Sequence, residues 1–567
     1  MMKKTILLFA CAMTLQGTLA QELPKWAGKA RKAVFSVITY DKDGKILNTG
    51  NGFYISEDGT AVSDYSLFEG AARAVVVTAE GKELPVARIL GANDMYDVVK
   101  FRTETDKKSS ALTPASQPGT VGQTVYLLPY STQKDLAGQH GSIVKVDTIG
   151  NNSFYYTLNM KTGDKTVSCP IMNEAGEVLG LIQKNVDDQS ESSYAIGVNY
   201  ARNLSISALS VNDATLQSIG IRKGLPDDES QALVYLFMAS SQLDREMYLA
   251  LLNEFIATYP KNSEGYSRRA SLYIGMKDET HLKLAEEDLK KMLDVSDNKA
   301  EGHYDIAQQI YNYVLSLNGG QPYGNWTLDR ALTEIDAALN IDNQGLYYQL
   351  QGDIYFAQQK YAEALASYDA VNRSPLASAA SFYSAAKTKE LIEGASKKEA
   401  IALMDSAVNR FITPYGRDAA PYLYERARMK SEDGQYREAV KDYNAFHDAM
   451  MGQVSAEFYV IREQAEMQCR MYKQAIDDIN KAISMEPGNE AYWMEKGSVH
   501  LRVNQLEEAV KALQKAVELN PKDGAAYRMI GYAQILQKKK EEGLANLEKA
   551  KELGDAVAPG LIEKYQK

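Results

Sequence analysis

The sequence predicts two folds in one chain: an all-β N-terminal part, then a long all-α solenoid of helical hairpins. Three observations predict it. From Val34 to about Ser205 apolar residues recur mostly at every second position, with turn signals between, which is the pattern of short strands joined by hairpins. Beyond residue 228 the apolar period lengthens to that of helices. Within that region similar segments return every 34 residues, and a fixed period of this length marks a repeat architecture. The composition agrees: 567 residues, 45% hydrophobic and 24% charged, with a mean hydropathy of −0.35. That is enough apolar mass for several cores and too much for a solvated chain.

The elements follow in order. Lys3 and Lys4 precede an apolar stretch from Ile6 to Leu15, and Gly17-Thr18-Leu19-Ala20 closes it. A charged start, a short apolar core and small residues at its end read as a signal peptide over 1–20, cut after Ala20. The expected destination is the periplasm or the exterior. Cys11 suggests a lipoprotein anchor instead, but it lies too early and the apolar core continues past it. Further on, no apolar run approaches the ~20 residues of a membrane helix. "AVFSVITY" is followed by Asp43-Gly44, "NGFYIS" by Asp58-Gly59, and "GSIVKV", "NSFYYTLNM" and "SYAIGVN" continue the series. Many short strands with such turns indicate a sandwich or a barrel. The boundaries expected are 21–210 for the β domain, 211–227 for a linker containing Gly220, Gly224 and Pro226, and 228–567 for about nine repeats.

Charge and rare residues narrow the function. A net charge of −11 opposes a nucleic-acid partner, because phosphate binding wants a basic face. Five His and three Cys exclude multi-Cys zinc sites and disulfide frameworks, so no metal and no cofactor are expected. Cys169 and Cys469 read as buried thiols. Residues 21–220 hold 19 basic and 22 acidic side chains, residues 221–567 hold 42 and 52, and 26 of the 36 tyrosines lie in the helical region.

In the unit from Glu490, Trp493, Gly497, Ala509, Leu513, Ala516 and Pro521 stand at positions 4, 8, 20, 24, 27 and 32. Tyr527, Gly531, Gly543, Leu547 and Ala550 repeat this from Gly524, and Tyr459, Ala475, Ile479, Ala482 and Pro487 from Ala456. Small residues at 8, 20 and 27 let paired helices approach closely, and Pro at 32 stops the second helix. The pattern resembles the tetratricopeptide repeat, and looser units begin at Gly345 and Ala420. The resemblance implies a superhelix whose concave groove holds a protein or an extended peptide. Its groove positions fall on Ala491, Met494, Ser498 and Leu501, then Ala525, Arg528, Tyr532 and Ile535. Met494, Leu501, Arg528 and Tyr532 are the binding residues expected. The set is not a basic clamp, so an apolar or extended ligand is expected. Tyr347 and Tyr422, off the repeat pattern, are further contact candidates.

Three stretches of the β region resemble, in order and spacing, the trypsin-like proteases of the HtrA kind. "GNGFYISEDGTAVSDYSLFEGA" is similar to G-S-G-F-I-I then D-G-Y-I-L-T-N-x-H-V-V-x-G-A. "GANDMYDVVKF" is similar to the segment with the catalytic Asp, and "TVSCPIMNEAGEVLGLIQKN" to G-N-S-G-G-P-L-x-N-x-x-G-x-V-I-G-I. The resemblance implies a double β-barrel. It also implies that the triad positions hold Ser66 for the base, Asp97 for the acid and Val167 for the nucleophile. Lys165 replaces a glycine of the oxyanion turn, and Ser168 and Cys169 replace the two glycines after the nucleophile. Without a base or a nucleophilic hydroxyl the mechanism cannot run, and Asp97 is left with nothing to orient. Ser168 or Cys169 is the fallback nucleophile, with His140 the one imidazole available as its base. The expectation is an exported scaffold with an inactive trypsin-like domain. The alternative is a serine-type endopeptidase whose repeats present substrates.

Overall fold

The computed structural model describes residues 23–105, 107–132, 139–150, 153–185 and 190–566; the leader expected over 1–20, with Cys11, lies outside them. Twelve strands form two closed six-stranded barrels. The first contains β1 (Val34–Tyr40), β2 (Ile46–Tyr54), β3 (Thr60–Ser63), β4 (Arg73–Val77), β5 (Glu83–Asn93) and β6 (Val98–Thr103), closing in the order β1-β2-β3-β6-β5-β4. The second contains β7 (Thr124–Leu127), β8 (Gln139–Ile149), β9 (Ser153–Leu158), β10 (Pro170–Met172), β11 (Val178–Ile182) and β12 (Ser193–Gly197), in the order β10-β11-β12-β9-β8-β7. Of sandwich and barrel, the chain has taken the form that leaves no sheet edge unpaired. Phe35, Val76 and Phe101 fill the first barrel, and Val125, Ile143, Cys169 and Ile171 the second. Val34, Phe53, Val98, Leu128, Leu181 and Ile196 make a third core cluster, drawn from strands of both barrels. Gly52 has no alternative there: a Cβ would stand 2.6 Å from both the Phe35 ring and the Val62 carbonyl.

The chain divides into two compact units, the first ending at Ser296 and the second beginning at Asp297. Residues 211–227, expected to link the domains, belong to the first unit and pack on its barrel. Leu216, Ile219 and Ile221 share one core with Phe35 and Phe101. Gly70 N donates to Ser218 O, Gly220 N to Ala71 O, Ile89 N to Arg222 O and Gly224 N to Ile89 O, all at 2.8 Å. The helices Glu229–Ala239 and Arg245–Thr258 continue that core through Tyr235, Leu236, Leu252 and Phe255. Glu254 of the second pairs with both Arg88 and Arg222.

Counting these two helices as the first, nine successive helical hairpins are present among the described residues, two in the first unit and seven in the second. The last is Gly524–Leu536 with Lys540–Glu552, followed by a closing helix, Ala558–Gln566. The small residues act as their spacing requires: a Cβ on Gly531 would stand 2.6 Å from the carbonyl of Gly543 on the paired helix. The insertion "LNGGQPYGNW" folds back, burying Trp326 edge-on to Tyr313 at 5.4 Å. No helix of the described residues is long and apolar enough to cross a membrane.

Candidate functional site

Strands β3 and β6 are antiparallel neighbours with Ser63 opposite Val99, so the turn leaving β3 meets the turn entering β6. The first turn carries Asp64, Tyr65 and Ser66, the second Asp97. Ser66 and Asp97 are brought together: Ser66 N donates to Asp97 Oδ1 at 2.7 Å and Ser66 Oγ to Asp97 Oδ2 at 3.0 Å. Asp97, expected to have nothing to orient, therefore holds the Ser66 turn through both carboxylate oxygens. It does so from a left-handed backbone, φ 47°, a conformation Asp tolerates better than most residues.

The second half of the site precedes β10. Asp164–Thr166 forms a single 3₁₀ turn, and Val167 follows it. Asn51 of β2 reaches across and donates from Nδ2 to the carbonyls of Lys165 at 3.0 Å and Val167 at 2.9 Å. Every amide from Thr166 to Cys169 donates inside the protein. Thr166 N goes to Gly163 O at 2.9 Å, Val167 N to Asp164 O at 3.4 Å, Ser168 N to Ile182 O at 2.8 Å and Cys169 N to Thr166 O at 3.1 Å. The half-buried Val167 side chain lines a cavity of about 210 Å³ with Lys161, Asp164 and Asn185.

Behind this turn lies a group the motif comparison passed over. Asp64 is 3% exposed. Burial, then the charge of Asp97, hold its carboxyl well above the usual carboxylate range, and the Ser168 hydroxyl pulls the other way. Asp64 Oδ1 and Ser168 Oγ are both buried without a hydrogen bond of normal geometry, and Ser168 sits at φ 61°. Cys169 is fully buried, and desolvation pushes its thiol up to about 12, so no thiolate forms near neutral pH. His140, exposed on β8, pairs with Tyr126 of β7 and is hydrogen-bonded to neither fallback residue among the described contacts. Two departures from the family pattern signalled these groups: Asn51 stands where G-S-G-F has Ser, and Asp64 where T-N-x-H has Asn.

On the repeats, Met494 and Leu501 are half-buried on the helix Glu490–Arg502. Arg528 and Tyr532 are engaged within the chain: Arg528 Nε donates to Asp555 Oδ2 at 2.9 Å, and Tyr532 lies 6.4 Å from Tyr565 of the closing helix. Tyr347 is not a surface contact. It is buried against Tyr304, ring centroids 5.4 Å apart, because a residue off the repeat pattern can still face the preceding hairpin. Tyr422 is likewise packed, edge-on to Tyr383 at 5.8 Å.

Residues 50–181 match the family model of the trypsin-like peptidase domain, and residues 470–523 and 494–558 that of the tetratricopeptide repeat. Among solved structures, the active form of a protease from M. tuberculosis is similar at 17% identity and a TM-score of 0.28, over 32% of this chain and 82% of that one. No curated protein matches the chain. The chain thus combines a trypsin-like double barrel with tetratricopeptide repeats, which point to protein–protein interaction.

Proposed function

We propose that this protein is an exported protein-binding scaffold, its trypsin-like domain kept for structure and binding after losing catalysis. The observation that carries this is the Ser66–Asp97 pair. A hydroxyl already donating to a carboxylate stands where a proton-accepting imidazole is needed, and Val167 supplies no nucleophile opposite it. The internally bonded amides from Thr166 to Cys169 add to this, since an oxyanion hole works through N–H groups held free for the developing charge. The buried, protonated thiol of Cys169 argues against the fallback endopeptidase. Lys3, Lys4 and the apolar stretch up to Ala20 support export.

The repeats supply the binding surface, and Met494 and Leu501 are the groove side chains available for a partner segment. Arg528 and Tyr532 contribute to the same surface only where the closing helix leaves them uncovered. The test is activity-based. The mature protein should neither react with fluorophosphonates nor turn over unfolded casein, and Ser66→His with Val167→Ser should not restore labelling, because the amides beside residue 167 stay committed. Labelling of the wild-type chain that disappears in Ser168→Ala would overturn the reading. Capture of a partner that is weakened by Leu501→Ala at unchanged melting temperature would place binding in the groove.

A further inference from the structure

One repeat departs from the size rule of its neighbours. Position 8 of the hairpin is small at Gly352, Ala427, Gly497 and Gly531, because the paired helix leaves little room; a Cβ on Gly497 would stand 2.5 Å from Leu513. In the hairpin from Ala456 the same position is Glu463. It is 0% exposed, and neither carboxyl oxygen has a hydrogen-bond partner. It lines a cavity of about 460 Å³ among the helices Ala420–Glu432, Tyr436–Ala449, Ala456–Gln468 and Glu490–Arg502, a size within the ~300–1,000 Å³ of small-ligand pockets. A buried carboxyl without a donor is costly in any state, so a donor from outside the chain is the missing component.

We infer that this cavity receives a lysine or arginine side chain of a bound polypeptide, with Glu463 as its counter-ion. The inference rests on the reading of the repeats as a protein-binding surface and names the chemistry it selects. The chain's own cations are largely committed. Arg428 is held by Glu390, Glu425 and Glu432, and Arg462, one residue before Glu463, is bidentate to Asp478. Exposed Arg502 lines the same cavity together with Glu495 and Glu432. Ile461 and Met467 line the same cavity and suit the aliphatic stem of a long cationic side chain. An anion is disfavoured: Glu495, Glu466 and Asp478 all act on Glu463 as negative neighbours, and Arg502 alone opposes them.

Burial, with Glu495 next, pushes the empty carboxyl up to about 8, and Glu466 one turn on is pushed up to about 8 as well. A cation would bind the ionised form, so binding near pH 7 should release a proton and tighten as pH rises toward 8. Full-length protein labelled with ¹³C at its methionine methyls is titrated with Nα-acetyl-lysine methylamide, Nα-acetyl-arginine methylamide and, as the neutral control, Nα-acetyl-norleucine methylamide. The expected result is a saturable Met467 shift with one or both cations, none with norleucine, and a loss of at least about tenfold in affinity in Glu463→Gln. Which cation binds identifies the side chain selected. No saturable shift with either cation, an equal response to norleucine, or undiminished binding in Glu463→Gln overturns the inference. Gln copies the neutral carboxyl, so an unchanged melting temperature is expected. If that variant does not fold, Glu495→Gln carries the test: a several-fold loss supports the inference, and unchanged affinity overturns it. Failure here while a captured partner still needs Leu501 would remove the cation pocket and leave the scaffold reading intact.

Discussion

At the scale of single residues, the barrel site is defined by what its polar groups face. A catalytic carboxylate would steady an imidazole; Asp97 steadies the backbone and hydroxyl of Ser66 instead. Burial, and then the Asp97 charge, hold the carboxyl of Asp64, two residues before Ser66, well above the usual carboxylate range. The sign of its effect on stability follows. Its native pKa lies above the value of about 3.9 in an unfolded chain, so the native state keeps a proton that the unfolded state loses. Stability contributed by the neutral carboxyl is fully present below about pH 4 and is lost as pH rises toward the native pKa. Asp64→Asn, which keeps the shape and removes the ionisation, should therefore melt with wild type at pH 4 and above it at pH 8. A gain of about 1 kcal/mol corresponds to roughly 2–4 °C in a unit of this size. Melting curves at the two pH values check this, and equal differences at both would show that Asp64 does not titrate as placed. Spacing alone could place Ser66 and Val167 at the positions the resemblance assigns to base and nucleophile. The same spacing shows Asp64 in place of the pattern's Asn but not its role, which comes from burial behind a turn of the other barrel.

At the scale of the helix, the hairpins share an ionic clip that the repeat pattern does not announce. Arg269, Arg426 and Arg462 each make a bidentate pair with an aspartate of the partner helix, Asp288, Asp442 and Asp478. Each sends its remaining amino group to the preceding hairpin, to Asn253, Asp405 and Asn444. One guanidinium thus ties a hairpin internally and to its neighbour, which a lysine's point charge could not do. Arg462 and Asp478 are about a tenth exposed, so removing one partner strands a buried charge. Arg462→Ala should cost about 3–5 kcal/mol in the second unit, and Arg462→Met with Asp478→Leu should recover much of it. Urea unfolding followed by the near-ultraviolet signal checks this; a loss below about 1 kcal/mol would mean that solvent reaches the pair. The hairpins themselves were legible, because small and large residues at fixed positions state which faces touch. The clips were not, because charges on a helix read as a solvated face until the partner helix is in place. The same blindness hid Glu463, although a glutamate at a position that is small in the units from Gly345, Ala420, Glu490 and Gly524 was a visible signal.

At the scale of the whole molecule, composition foresaw several cores and the period change near residue 228 foresaw where strands give way to helices. That change of secondary structure is not the edge of a compact unit. The glycines and proline of 211–227 read as a linker because such residues punctuate loops. In the fold, Gly220 and Gly224 serve close approach instead, a Cβ on Gly220 standing 3.0 Å from the Ala71 carbonyl. Ile219, Ile221, Tyr235, Leu236, Leu252 and Phe255 share one buried cluster with the first barrel's Phe35 and Phe101, and Glu254 pairs with both Arg88 and Arg222. Cutting the chain at 210 would return these apolar surfaces to water at about 25 cal/mol per Å². It would also remove the hydrogen bonds between residues 218–224 and Gly70, Ala71 and Ile89. A chain of residues 21–296 should therefore melt in one cooperative transition, whereas residues 21–210 should bind a hydrophobic dye, lose that transition or aggregate. Thermal unfolding of the two fragments by circular dichroism, with dye fluorescence alongside, decides between them. If 21–210 melts as sharply as 21–296 and binds no dye, the first two helices and the segment before them are an addition to a self-sufficient barrel. The boundary then returns to residue 210, and the conformational stability of the barrel has to come from its own three clusters of buried side chains.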